Sequence, residues 1–175
     1  MTRKILIVLG ALAALVLLVA AVGLALPREH KVTSAVALTA APDQVWPLVS
    51  DPGSLQGHWE ELEEVERLPD RDGKPLWRQK AGGFEMRLVV EEAVPPIRFV
   101  TRIDAPEDAA FGGRWIYQLA PMGTGTRVRI TEDGWVGNPI FRVMMQAMGT
   151  HRTLDGYLTA LGRKLGEDVR PEHVP

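Results

Sequence analysis

From Ile5 to Leu26 the chain runs for 22 residues without a charge. At about 1.5 Å per residue a helix of that length measures roughly 33 Å, enough to cross the hydrocarbon core of a bilayer. The length predicts one transmembrane helix, so residues 1–27 are set apart as an anchor. Arg3 and Lys4 ahead of the run, and the small residues around Gly23-Leu24-Ala25, also fit a cleaved signal peptide. A signal's apolar segment is usually about 7–15 residues, and on length the anchor is favoured. Arg28 and Lys31 follow the run closely. The positive-inside rule therefore leans only slightly toward a cytoplasmic N-terminus, with the domain on the extracytoplasmic side of the cell membrane.

Residues 28–166 are the size of one domain with one core, and 167–175 form a tail with two prolines and no apolar period, expected to fray. Without Arg3 and Lys4 there are 18 basic residues against 22 acidic, a charge of −4. Such a balance argues against a nucleic-acid partner. The chain has no cysteine, which removes disulfides and thiolate metal sites. His30, His58, His151 and His173 are too scattered for a metal site to be read from spacing. Gly123-x-Gly125 meets Val128 where a dinucleotide loop needs glycine, so no cofactor is expected. Oligomeric state is not legible.

Between these ends the pattern is mostly two-residue alternation. Val32, Ser34, Val36 and Leu38 mark a first strand. Ala41-Pro42-Asp43 opens a short helix through Val49, and a second short helix or turn is expected over Leu55 to Trp59. Strands follow around an Asp70-Arg71-Asp72-Gly73 hairpin and from Phe84 to Val90. The Pro95-Pro96 turn leads to a strand from Ile97 to Ile103, then a loop from Ala105 to Gly113. Two more strands run from Arg114 to Ala120 and Arg127 to Val136. One face collects Glu85, Arg87, Arg98, Arg102, Arg114, Gln118, Arg127 and Arg129, the wet side of an antiparallel sheet. Last comes a helix from Asn138 to Gly166, with an Asn cap, Pro first, and an apolar stripe through Ile140, Met144, Ala147, His151, Leu154, Leu158, Leu161 and Leu165. Gly149 and Gly156 make a bend possible within it.

The words Ala41-Pro42-Asp43-Gln44-Val45-Trp46, Ser50-Asp51-Pro52 and Gly125-Thr126-Arg127-Val128, in this order of elements, resemble the START-like superfamily, which includes polyketide cyclase/dehydrase and lipid-transport-like proteins. The resemblance covers roughly Lys31 to Leu165. It implies an α+β helix-grip fold: a curved antiparallel sheet of about seven strands around a long C-terminal helix, with an apolar cavity between them. An N-terminal anchor is not part of that common pattern.

The alternation puts Met86, Leu88, Phe99, Trp115, Tyr117, Val128 and Ile130 on the inward face of the sheet. The helix offers Phe141, Met144, Ala147, Met148 and His151, and its cluster of methionines suits a loosely specific apolar site, although core filling explains them equally well. His151 on an apolar stripe and Glu132 on the Val128 face are the candidates for an acid/base pair. A lone histidine there is more often a satisfied core residue, and a shift of one residue sends Glu132 to solvent. The residues thus favour binding of a hydrophobic small molecule, a lipid, isoprenoid or polyketide-like compound, by a domain tethered to the bilayer through Ile5 to Leu26. A cyclase or dehydratase using His151 and Glu132, and an interaction module without an open cavity, stay open as alternatives.

Overall fold

Alternating side chains need a sheet to sort them, and the sheet they make here has eight strands. A computed structural model describes residues 2–106 and 108–175; the Glu107 of the expected loop lies outside the described residues, as do the side chains of Met1 to Arg3. The elements are α1 (Thr2–Ala25), β1 (Glu29–Leu38), α2 (Pro42–Val49), β2 (Leu62–Arg71), β3 (Lys74–Ala81), β4 (Phe84–Val94), β5 (Arg98–Ile103), β6 (Phe111–Met122), β7 (Gly125–Val136), α3 (Pro139–Met148), α4 (Arg152–Lys164) and β8 (Glu172–Val174). The strand order is β2-β3-β4-β5-β6-β7-β1-β8, antiparallel throughout. Because β1 pairs with β7, the two ends of the domain meet at one place in the sheet.

Local chemistry sets the register. The β2–β3 hairpin turns on Asp72 and Gly73, both at positive φ (53° and 73°), the backbone that a two-residue hairpin loop requires. Phe99 lies opposite Tyr117, and Tyr117 opposite Ile130, on the inner face; Arg98, Gln118 and Arg129 are aligned on the outer one. There Arg98 pairs with Glu92 (2.8 Å) and Arg102 with Glu91 (2.7 Å), as a solvated face should.

The core fills one end of the inner face. Leu154, Leu158 and Leu161 of α4 are fully buried against Val45 and Val49 of α2 and against Leu38, Val128 and Ile130 of the sheet. Each such leucine contributes about 1.5–3 kcal/mol by leaving water. Gly156, inside α4, lets Trp59 approach: a Cβ there would sit 3.2 Å from the indole nitrogen.

Two expectations are corrected and a third is narrowed. The single helix from Asn138 to Gly166 is two helices, broken at Gly149, whose φ of 90° and ψ of 126° suit a residue without Cβ. Asn138 does cap α3, its Oδ1 accepting from the amides of Ile140 (2.9 Å) and Phe141 (3.3 Å). Leu55 to Trp59, expected as a short helix or turn, is a run of turns, closed by the amides of His58 and Trp59 donating to Leu55 O. The tail does not fray throughout: β8 pairs with β1, Thr33 opposite Val174, because the open edge of β1 offers unused backbone groups. Glu172 adds an ion pair to Arg127 at 3.0 Å.

One helix among the described residues, Lys4–Ala25, is long and apolar enough to cross a membrane. It is exposed from Lys4 to Leu18. Only Val19, Ala20, Gly23 and Leu26 are shielded, a single helical face, and α3 lies against α1. Gly23 is required there, since a Cβ on it would fall 2.0 Å from Pro139 O.

Candidate functional site

Where α4's leucines stop, the sheet and α3 leave a cavity of about 450 Å³. Its sheet wall carries Met86 and Leu88 from β4, Phe99 from β5, and Trp115 and Tyr117 from β6. The opposite wall carries Phe141, Met144, Met145 and Met148 from α3 and Tyr157 from α4. Val128 and Ile130 share the inner face but lie fully buried at the filled end, away from the cavity wall. Ala147 is exposed.

The cavity's depth is aromatic. Tyr157 lies 5.6 Å from Trp59, 5.9 Å from Trp115 and 5.5 Å from Tyr117, ring centre to ring centre, and Phe99 is 5.7 Å from Tyr117. Burial pushes the Tyr117 phenol well above its ordinary value, with the neighbouring Tyr157 and Glu132 adding to the shift. Burial likewise raises the Tyr157 phenol, with the Asp51 charge adding to the shift. Both stay protonated at physiological pH, neutral groups able to orient a ligand oxygen.

Glu132 lies on the cavity wall, in hydrogen-bond contact at 2.9 Å with His30 Nε2. His30 also lines the cavity, and its Nδ1 is buried without a protein partner, as is Trp59 Nε1. In the sequence His30 opens the first strand, and it is found in β1. Its position two residues ahead of Val32, with the parity of Ser34 and Val36, is the signal that it faces inward. Tyr157 carries a similar signal, one turn beyond Leu154 on the α4 stripe.

His151 does not line the cavity. The break at Gly149 resets the helical phase, so the period that carries Met144 inward does not extend to it. Instead its Nδ1 is 3.0 Å from Ser34 Oγ and its ring stacks on His173 at 3.8 Å and 16°. Burial lowers its proton affinity and the His173 charge adds to this, while Asp155 and Glu132 oppose. The expected pairing of His151 with Glu132 is therefore replaced on the wall by His30 with Glu132.

His151, Asp155 and His173 each place a ligand atom within 4.8 Å of the others. The trio is closed by its own contacts: Ser34 Oγ donates to Asp155 Oδ1 at 2.7 Å, and His173 Nε2 lies 2.9 Å from Oδ2. Two stacked imidazoles also keep their lone pairs in nearly parallel planes, which suits a shared metal ion poorly.

At the mouth, Phe84 meets Phe111 (5.5 Å) and Phe141 (5.8 Å), all edge to face. Met144 and Met148 line the cavity and are also 47% and 54% exposed. The opening is thus as apolar as the interior.

A family model described as polyketide cyclase/dehydrase and lipid transport matches residues 29–166. Several solved structures share the fold. An aromatase/cyclase from Streptomyces sp. R1128 is 17% identical, with a TM-score of 0.64 over 78% of this chain and 94% of its own. A protein from Thermus thermophilus is 21% identical, TM-score 0.62, covering 78% and 97%. A conserved protein from Geobacillus kaustophilus is 13% identical, TM-score 0.65, covering 82% and 100%. None of the curated proteins compared matches the chain. With the family model spanning nearly the whole domain and the helix-grip fold in place around it, the chain belongs to the polyketide cyclase/dehydrase and lipid transport family, in the START-like superfamily.

Proposed function

We propose that this chain is a membrane-tethered binder of a hydrophobic small molecule, a lipid, isoprenoid or polyketide-like compound held between the sheet and α3. The observation that carries the reading is the cavity itself: about 450 Å³, walled by methionine, leucine and aromatic side chains, with a few polar groups at Tyr117, Tyr157, Glu132 and His30. Sites for apolar ligands have this composition, the polar minority fixing orientation. The apolar α1 keeps such a site close to ligands that partition into bilayers.

Trp59, Trp115 and Trp135 line the cavity and serve as built-in reporters. Titrating the full chain in nanodiscs with cis-parinaric acid is expected to give saturable energy transfer from tryptophan, and Leu88→Trp, which fills the cavity, is expected to abolish it. Transfer that never saturates, or that Leu88→Trp leaves unchanged, would overturn the reading.

Catalysis of the cyclase or dehydratase type is a second reading, and the 2.9 Å contact of His30 with Glu132 on the cavity wall is what supports it. Its test is whether Glu132→Gln and His30→Gln abolish turnover of a bound polyketide-like compound while parinaric acid binding persists. Retained turnover in both variants removes this reading.

A further inference from the structure

We propose that α3 is an interfacial lid sunk into the bilayer leaflet from which α1 emerges. The cavity then exchanges its ligand, a bilayer-resident lipid with a long apolar tail, laterally with the hydrocarbon. The inference rests on the tethered-binder reading and adds to it the route and the source of the ligand.

The composition of α3 is the first ground. Its sequence, Pro139-Ile-Phe-Arg-Val-Met-Met-Gln-Ala-Met148, holds one charge. That charge, on Arg142, is buried and turned away from solvent, donating to Gly23 O (3.2 Å) and Leu26 O (3.2 Å) at the end of α1 and to Val136 O (2.8 Å) and Gly137 O (3.1 Å) at the end of β7. Apart from Arg142 and an exposed Gln146 one turn on, every α3 side chain is apolar; such residues belong in a core or in lipid, yet Ile140, Met144, Ala147 and Met148 are exposed.

Position is the second ground. The shielded face of α1 runs from Val19 to Leu26, about 10 Å along the axis, so α3 lies beside the last two turns of the span rather than beyond them. Interfacial helices sink their apolar faces about 5–10 Å, the same depth. Phe84, 45% exposed, stands in the same rim through its ring contact with Phe141. Where α1 ends, Arg28 lies 4.9 Å over the Trp135 ring, a cation and an indole at the level where the headgroups would be. The two faces of Met144 and Met148, one exposed and one in the cavity wall, then connect hydrocarbon outside with apolar space inside.

The chain has no cysteine, so single-cysteine probes need no background removed. Met148→Cys and Phe84→Cys are labelled with the fluorophore NBD in the full chain, reconstituted in phosphatidylcholine/phosphatidylglycerol vesicles. Leu12→Cys marks the middle of α1. Ile97→Cys and Met122→Cys mark exposed apolar positions at the other end of the sheet, Met122 about 36 Å along β6 from the rim and Ile97, beside Leu119, about 26 Å. The rim and Leu12 labels are expected to lose most of their emission to acyl-chain doxyl lipids and none to iodide, with the reverse at Ile97 and Met122. Rim labels quenched by iodide while Leu12 is quenched by doxyl lipid overturn the lid and leave the tether standing. Rim labels protected from both quenchers indicate a protein contact in place of lipid and also overturn it. A Leu12 label quenched by iodide removes the tether, and the lid falls with it.

Discussion

Arg142 is where α1, α3 and the sheet are joined, and its removal gives the sharpest test of that joint. The side chain is 9% exposed and donates to four backbone carbonyls, two on the α1 side and two at the end of β7. A hydrogen bond from a charged group contributes about 1.5–3 kcal/mol net, and bonds from one guanidinium are not additive. Taking the low end for each side, Arg142→Met, which keeps most of the stem, costs about 3 kcal/mol locally. That is roughly a hundredfold in the opening equilibrium of α3. The loss is local because α4 and the sheet keep the main core. Amide hydrogen exchange on the full chain in nanodiscs reads it directly: the Val143 to Met148 amides are expected to exchange on the order of a hundredfold faster, with those of Leu158 to Leu161 unchanged. Equal protection of α3 in the variant and the parent would refute the assignment. A uniform loss across both helices would refute the claim that the two are energetically separate.

Three further outcomes are expected. Leu158→Ala, at a fully buried site in the filled end, costs about 2–5 kcal/mol and lowers Tm by roughly 4–20 °C, read by thermal unfolding monitored by circular dichroism. Gly125→Ala puts a Cβ 2.0 Å from Leu38 O, and the forced shift between β7 and β1 costs about 1–3 kcal/mol in urea denaturation at an unchanged m-value. His151, its proton affinity lowered by burial and by His173, gives the docking of β8 a pH dependence. The detached state binds more protons between the lowered value and the ordinary 6.5, so docking is fully present above about pH 6.5 and weakens as pH falls through that window. The Val174 methyl resonances should move toward unstructured positions on acidification, and His151→Gln should flatten the response.

Most of the fold is legible in the sequence because it rests on short-range signals. The alternation Phe84–Val90 and Ile97–Ile103, the Asp72-Gly73 turn and the Asn138-Pro139 start each depend on a few adjacent residues, and each is found in place. What the sequence does not disclose depends on distant partners. No local pattern shows that β1 leaves an edge for Glu172 to Val174, or that Ser34, 117 residues away, engages His151. The helix break needs a choice between two readings of Gly149. A bent continuous helix and two separate ones satisfy the same apolar period up to Met148 and differ only after it. His151 falls on the wrong face for that reason, whereas Met144 and Met148, on the near side of the glycine, keep their phase. His30 sits at the start of the first strand with the parity of its inward residues, but alternation alone does not name its partner, and its contact with Glu132 across β1 and β7 brings out its place on the wall.

The break at Gly149 also separates two requirements that one continuous helix could not meet. Holding the fold calls for deep burial, which α4 supplies with leucines packed against β1, β7 and α2 whether or not the cavity is occupied. On the proposed reading, admitting a ligand calls for an element that can yield at small cost, and α3 suits that part: apart from Arg142 its residues are only partly buried or exposed, and methionines form most of its cavity face. A rigid joint at residue 149 would make any motion of α3 disturb α4's packing. Gly149, with no side-chain contact for a Cβ to meet and a backbone angle that alanine resists, allows the two to move apart. Gly149→Ala is therefore expected to slow parinaric acid entry and release by similar factors, leaving its equilibrium affinity nearly unchanged. Stopped-flow energy transfer measures both rates, and a variant that loses affinity while its entry rate is preserved would show that the glycine shapes the cavity rather than its opening.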